Sequence, residues 1–339
     1  MSVQSELVKF NDKIRVDYKT KSELKTKRDV LLSKLKGSDK IPAFKEYNQG
    51  SYALYTGVKP ESGEEYDIDV ALRFSKNKSD YEPIELKNKI WEVLQNHTEY
   101  GAEIKTPCVT VTYKKDGEAS YHVDLVVYLY EDKDDEDSQL YIAKGKCKDS
   151  QSWEKADPEG LVKYINEGIE DGAKRDQFRR VVRYLKKWKN RRFSSTGHAS
   201  PPSIGLTLMA LEEFVYCIDD DLNALLTVVS EIENKFIFNN VSDSRKSLYR
   251  IKLPLPYCLN FESNNDIFIK MSDAQMTDFK DKIGKLKTDL IDVRDEVDEQ
   301  EQYEKLNKIF GDDFEVPKSE ASAKKQFNYI PPSSASGIE

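Results

Sequence analysis

The sequence predicts an α+β fold in which a strand-rich half is followed by a helical half. Three observations carry that expectation. Residues 67–74 alternate polar and apolar side chains with a period of two, the pattern of a half-buried strand. Residues 108–113 and 119–130 repeat that β-rich texture around Asp116-Gly117, a pair that strongly favours a tight hairpin. From about residue 150 the apolar residues instead recur every three or four positions, the period of a helix with one buried face. At 339 residues and 38% apolar side chains, the chain has material for two domains or one elaborated one.

Taken in order, residues 1–40 are Lys-rich and space Leu7, Phe10, Ile14, Tyr18, Leu24, Leu31, Leu32 and Leu35 as one long or two shorter amphipathic helices. Gly37-Ser38 ends that pattern, and Pro42 keeps 41–50 extended. Gly57, Pro60 and Gly63 mark 51–66 as a loop. In the strand that follows, Ile68, Val70, Leu72 and Phe74 face a core, so Asp67 and Asp69 share the opposite face. Residues 83–97 read as a helix. On the second hairpin strand, Val123, Leu125, Val127 and Leu129 face the core and Asp124 does not. Six acids among the seven residues 131–137 read as a solvated loop.

In the helical half, Phe178, Val181, Val182, Leu185 and Trp188 form one stripe over 174–190. Pro201-Pro202 starts another helix, apolar through Leu211, Phe214 and Val215. Met276, Phe279, Ile283, Leu286, Leu290, Val293 and Val297 make a heptad seam, read as a helix packed on its own domain rather than an intermolecular coiled coil. The tail 317–339 reads as disordered. The expected division is therefore a helical segment 1–40 packing along both lobes, a core 41–150, a helical domain 151–316 and the tail.

Composition narrows the chemistry. A net charge of −8 argues against a protein that coats nucleic acid. No apolar run approaches membrane-spanning length, and the opening MSVQSELVKF has no secretory pattern. Cys108, Cys147, Cys217 and Cys258 stand singly, which fits a reducing, cytoplasmic setting. His97, His122 and His198 are too far apart to suggest a zinc ribbon, so any metal falls to carboxylates. Acids are disfavoured in strands, and Asp67, Asp69 and Asp124 close together repel. Divalent cations offset that repulsion: Mg²⁺ takes one or two carboxylates plus substrate phosphates, and a pair of ions suits in-line phosphoryl displacement. The plainer reading is a row of solvent-facing acids. Upstream, Gln49-Gly50-Ser51 has the backbone freedom and hydroxyl of a phosphate nest, or of an ordinary turn.

Gly50-Ser51, then Asp67 and Asp69 sixteen residues on, then Asp124 in an apolar strand, together resemble the DNA polymerase β-like nucleotidyltransferase superfamily. The strings QGSYALYTG, YDIDVALRF and YHVDLVVY look most like the bacterial CD-NTases related to cyclic GMP-AMP synthase and 2′-5′-oligoadenylate synthetase. The resemblance covers roughly residues 40–260 and implies a nucleotidyltransferase core, a mixed sheet flanked by helices, with a C-terminal helical domain across a cleft. It implies that Asp67, Asp69 and Asp124 hold two Mg²⁺ ions, with Mn²⁺ able to substitute, and that Gln49, Gly50 and Ser51 grip the donor triphosphate. RYLKKWK and SPPSIGLTLMALEEF are similar to the family's Lys-bearing helix and the segment after it, which adds Lys186 and Ser203 as nucleotide contacts. By helix geometry Lys186 lies at the edge of the apolar stripe, Lys189 near it and Lys187 nearly opposite the core. Ile204 stands where oligoadenylate synthetase has a base-stacking Tyr, so the base platform is expected elsewhere.

The activity so implied is synthesis of a cyclic di- or trinucleotide second messenger from nucleoside triphosphates, with pyrophosphate release, in anti-phage signalling. Implied partners are an effector switched on by the product and an accessory regulatory protein, with no nucleic-acid activator. The alternatives are a linear oligonucleotide synthase, an enzyme that nucleotidylates a protein or small molecule, and a non-catalytic binding protein of the same fold. Residues 174–192 hold ten Lys or Arg and one acid. They read as a wall of the nucleotide pocket, a duplex-binding ridge, or a helix's solvated outer face.

Overall fold

The computed structural model describes residues 2–61, 65–115, 118–194, 197–255 and 266–317. Two helices open the chain, α1 (Val3–Ile14) and α2 (Tyr18–Lys36). The break between them is fixed at Asp17, whose carboxylate accepts the Thr20 N–H at 2.8 Å and caps α2. The strand-rich half then runs β1 (Phe44–Gln49), α3 (Gly50–Leu54), β2 (Tyr66–Asn77), α4 (Pro83–Leu94), β3 (Ala102–Ile104), β4 (Val109–Lys115), β5 (Glu118–Tyr130), β6 (Leu140–Lys144) and β7 (Ser152–Ala156).

Among the described residues these seven strands form one mixed sheet with the path β1-β2-β5-β4-β3, while β6 pairs with β5 and β7 with β6. Only the β2–β5 pairing is parallel; the others are antiparallel. Ile68, Val70, Leu72, Phe74, Val123, Leu125, Val127 and Leu129 are fully buried against Leu24, Leu31 and Leu35 of α2 and Leu86 and Ile90 of α4. The period-two reading of both strands therefore holds. On the other face Ala71, Val126 and Tyr128 form a smaller buried patch.

The helical half contains α5 (Pro158–Glu167), α6 (Ala173–Arg192), α7 (Ser203–Glu213), α8 (Asp221–Asn234), a hairpin of β8 (Ile237–Val241) and β9 (Ser247–Arg250), then α9 (Asp273–Arg294) and α10 (Glu299–Phe310). Its core takes in the expected α6 stripe and the α9 seam from Met276 to Val293, so that seam is spent inside the molecule. Leu7, Phe10 and Ile14 of α1 belong to this second core. Phe10 lies against Tyr184, Phe310 and Phe314 with ring centroids 5.6, 4.7 and 5.6 Å away. One opening helix thus serves the helical half and the next serves the sheet.

Several expectations are corrected. Residues 50–54 form a helical turn where a loop was expected, the Gly50 backbone starting it. The short strands β3, β6, β7, β8 and β9 were not anticipated. LYIAK and SWEKA mix charges into few apolar residues because they lie toward an exposed edge, where charge guards against further pairing. Helix α7 stops at Glu213, so Val215 is 54% exposed, and Val297 lies beyond α9 at 94% exposed. Asp116-Gly117 and nearly all of the 317–339 tail lie outside the described residues.

Candidate active site

Sheet register assembles the site. Gln49 pairs with Asp69, Asp69 with Asp124, and Asp124 with Thr110, one row across β1, β2, β5 and β4. Asp67, two residues before Asp69, lies on the same face. The parallel pairing of β2 with β5 is what puts Asp69 and Asp124 side by side although 55 residues separate them along the chain.

The three acids perturb one another. Burial, then the neighbouring charges of Asp67 and Asp124, push the Asp69 carboxyl up to about 7. Burial also pushes Asp124 upward, but His122 and the Thr110 hydroxyl more than offset it and leave that carboxyl below its ordinary value. Thr110 Oγ1 donates to Asp124 Oδ1 at 2.6 Å, and His122 Nδ1 lies 3.3 Å from the same oxygen. That His nitrogen is buried and too poorly aligned for a hydrogen bond, so the contact is electrostatic.

The Gly50 backbone sits at φ +63°, and a Cβ there would lie 2.1 Å from Asp69 Oδ2. Only glycine fits both the conformation and the approach. Ser51 follows at the start of α3, facing a cavity of about 370 Å³ that Gly50, Asp67, Asp69, Lys186 and Ser203 also line. Gln49 is otherwise engaged: its Oε1 accepts the Tyr128 hydroxyl at 3.0 Å, and it does not line the cavity. Asp124 is also outside that lining, although the row of paired strands holds it next to Asp69.

From the helical half, α6 presents Lys186, which is 5% exposed and donates to Thr56 O at 3.1 Å and Thr56 Oγ1 at 2.9 Å. Burial, reinforced by Lys189, pulls its ammonium down to about 7 against the opposing pull of Asp67 and Asp69. Lys189 Nζ donates to Ser203 Oγ at 2.8 Å, at the first turn of α7. Lys187 departs from its expected outward direction: it is 4% exposed, held between Glu61 at 2.6 Å and Asp313 at 2.5 Å. Helix α6 is packed on nearly every side, so its cations become structural links. Arg180 pairs with the fully buried Asp221 at 2.6 Å, and Arg192 donates to Lys308 O at 3.1 Å. A solvated face describes only the ends of this helix, where Lys174, Asp176, Arg191 and Arg192 are exposed.

The carboxylates suit a hard divalent cation: oxygen donors only, crowded until Asp69 is driven toward its neutral form. Among the described residues no group of three acidic, His or Cys side chains stands in ready ligating geometry, and Asp124 Oδ1 is engaged by Thr110 with His122 close by. Thr110, His122 and Thr56 are site residues that sequence reading missed. A slip in the β4–β5 register between Tyr113 and Lys114 moves Thr110 opposite Asp124; regular pairing from the turn would have set it opposite Val123.

Comparison with known proteins adds a family. Residues 1–168 match the Second Messenger Oligonucleotide or Dinucleotide Synthetase (SMODS) domain. Over 203 residues the chain is 24% identical to a cyclic GMP-AMP synthase of Escherichia albertii, covering 57% of this chain and 43% of that protein. Over 193 residues it is 26% identical to a c-di-GMP synthase of Roseivirga ehrenbergii, covering 49% and 48%. The chain thus spans about half the length of the curated relatives it matches. Its fold is that of the Bradyrhizobium diazoefficiens CD-NTase CdnG solved with GTP, at TM-score 0.72 and 15% identity over 97% of this chain and 99% of that one.

Proposed function

We propose that this chain, whose residues 1–168 match the SMODS domain, is a bacterial CD-NTase and that it joins nucleoside triphosphates into a cyclic dinucleotide or trinucleotide with release of pyrophosphate. The observation that carries the proposal is the row Gln49–Asp69–Asp124, with Asp67 beside it and Asp69 raised to about 7, across a cavity from Lys186. Asp67, Asp69 and Asp124 would hold Mg²⁺ as two ions, or Mn²⁺ in its place. Bound there, the metal supplies charge neutralisation for the phosphates and lowers the proton affinity of the attacking hydroxyl.

The residues divide the remaining work. Gly50 admits a phosphate close to the backbone, and the Ser51 hydroxyl and Lys186 ammonium bind the donor triphosphate, with Ser203 held beside it by Lys189. Gln49 acts on that grip through the backbone and its bond to Tyr128. Asp124, with Oδ1 taken by Thr110, has Oδ2 left to orient the ribose hydroxyl and take its proton. The ribose oxygen forms the new bond to the α-phosphorus, and the bond to the bridging oxygen breaks, its electron pair leaving with pyrophosphate. A second such step within the linear intermediate closes the ring. The division proposed is a catalytic core over 41–150, a helical domain over 151–316 and 1–40 along both, although β7 (Ser152–Ala156) pairs into the sheet and moves that boundary beyond Ala156.

Family membership supports a wider setting, a cytoplasmic second messenger that activates a separate effector in anti-phage defence, with an accessory protein regulating synthesis. Among the described residues no helix is long and apolar enough to cross a membrane. Incubation with combinations of labelled nucleoside triphosphates and Mg²⁺ or Mn²⁺, then phosphatase digestion and mass analysis, tests the proposal. The expected result is a phosphatase-resistant ring, lost in Asp67→Asn and Asp69→Asn. A product degraded to nucleosides identifies a linear synthase, and unchanged turnover in either variant refutes the metal assignment.

A further inference from the structure

The cavity continues past the acids. Beyond Ser51 its lining passes Gly57 and Val16 and reaches Lys21 and Tyr55. Gly57 brings Val16 and Ser51 close together: a Cβ there would lie 3.2 Å from Val16 Cγ2 and 3.8 Å from Ser51 Oγ. The missing side chain therefore leaves this part of the cavity wall uncrowded.

Lys21 and Tyr55 line this end of the cavity, and two arginines outside its lining reach Tyr55. Arg179 Cζ lies 4.9 Å and Lys21 Nζ 5.7 Å from the centre of the Tyr55 ring. Arg183 donates to Tyr55 O at 2.9 Å and also contacts Asn11 Oδ1. Tyr55 itself stands at φ +57°, a conformation uncommon for a residue with a side chain, and its carbonyl is engaged by Arg183. Among the described residues neither Lys21 nor Arg183 has a carboxylate in ion-pair range. Arg15 pairs with Asp12 on the surface at 3.3 Å, and Arg179 reaches Asp176 only at 4.0 Å. Arg179 Nε is buried with no hydrogen-bond partner. The nearby Asp17 is occupied in capping α2. Burial and the neighbouring Arg183, Arg15 and Arg179 hold the Lys21 ammonium below its ordinary proton affinity, the mark of crowded positive charge that an anion would relieve.

We propose that Lys21, Arg179 and Arg183 form a second anion site around Tyr55, beside the cavity that Asp67 and Asp69 also line, that takes the pyrophosphate leaving group as it departs. This rests on the synthase reading above. Pyrophosphate suits the place because the proposed reaction releases it in the cavity that Ser51 and Lys21 both line, and its charge matches several cations converging on one ring. A nucleic-acid duplex fits less well, since it wants exposed cations spaced along a surface, whereas Lys21 and Arg183 are half-buried around one tyrosine, Tyr55.

Calorimetric titration of the full chain with inorganic pyrophosphate and Mg²⁺ tests the site without requiring turnover. Lys21→Gln is expected to weaken pyrophosphate about tenfold, the size of one lost charge-assisted hydrogen bond, and Lys21→Arg to restore it. In steady-state synthesis, product inhibition by pyrophosphate should weaken in parallel, while the single-turnover rate of the first bond stays as in the parent. An unchanged thermal midpoint in Lys21→Gln excludes misfolding as the cause. Pyrophosphate affinity that ignores Lys21 in an active enzyme overturns the inference, as does a Lys21→Gln chain that loses affinity for short duplex DNA instead. Lys21-dependent pyrophosphate binding in a chain that makes no product upholds the anion site and overturns the synthase reading.

Discussion

Lys186 is kept in an unfavourable place. Folding lowers its proton affinity from 10.5 to about 7, so between those values the unfolded chain binds more protons and stability rises with pH. Below about pH 7 the buried ammonium is charged and its full penalty applies. Replacing it by an apolar side chain of similar length, Lys186→Met, should raise the thermal midpoint of the ligand-free protein at pH 6 while weakening nucleotide binding at least about tenfold. Parallel melts and calorimetry check both. Nucleotide binding at pH 8 should also draw a proton from the buffer, visible as a binding heat that changes with buffer ionisation enthalpy. Gly50 is constrained in another way, since its left-handed backbone and its approach to Asp69 leave room only for hydrogen.

At the scale of elements, regular patterns were legible and irregular ones were not. Alternation in β2 and β5 told which face of each strand was buried, because a period of two survives whatever packs on it. The presence of Asp67, Asp69 and Asp124 could be read from the chain, but their juxtaposition depends on the parallel β2–β5 pairing. Thr110 was invisible because one extra residue in a strand pair exchanges the two faces. Lys187 was misjudged for another reason. Helix periodicity describes one buried face, whereas α6 is enclosed, and its outward positions meet Glu61 and Asp313.

Helix α6 also holds the largest polar node of the helical half. Asp221, fully buried at the start of α8, accepts from Arg180, Gln177 and Tyr184, and its own N–H donates to Gln4 Oε1 of α1 at 2.7 Å. Burial pushes the Asp221 carboxyl up, but Arg180, Gln177 and Tyr184 prevail and hold it below its ordinary value of 3.8. The stability it contributes is present above that value and is lost as pH falls through the lower folded one. Asp221→Ala leaves Arg180 without its partner and should cost about 3 kcal/mol at pH 7. Urea melts across the acid range should show the difference between parent and variant shrinking toward pH 2.

The whole molecule is two cores joined through α1, α2 and α6. Phe10 links the beginning of the described chain to its end through Phe310 and Phe314. Phe10→Ala should cost about 3–5 kcal/mol and act on one core only. Hydrogen exchange is expected to quicken in α6 and α10 and to remain slow in β2 and β5. Equal quickening in both would mean that the cores melt as one unit.

The contact between Phe10 and Phe310 also sets an order of events at the ribosome. The first helix emerges with its apolar stripe exposed, and the last of the aromatic rings that cover it, Phe310 and Phe314, lie about 300 residues downstream. At roughly 5–20 residues per second, that stripe waits about 15–60 seconds for its last partners. The sheet and α2 have all their residues well before then, so Asp67, Asp69 and Asp124 can be in register while α1 still waits for Phe310 and Phe314.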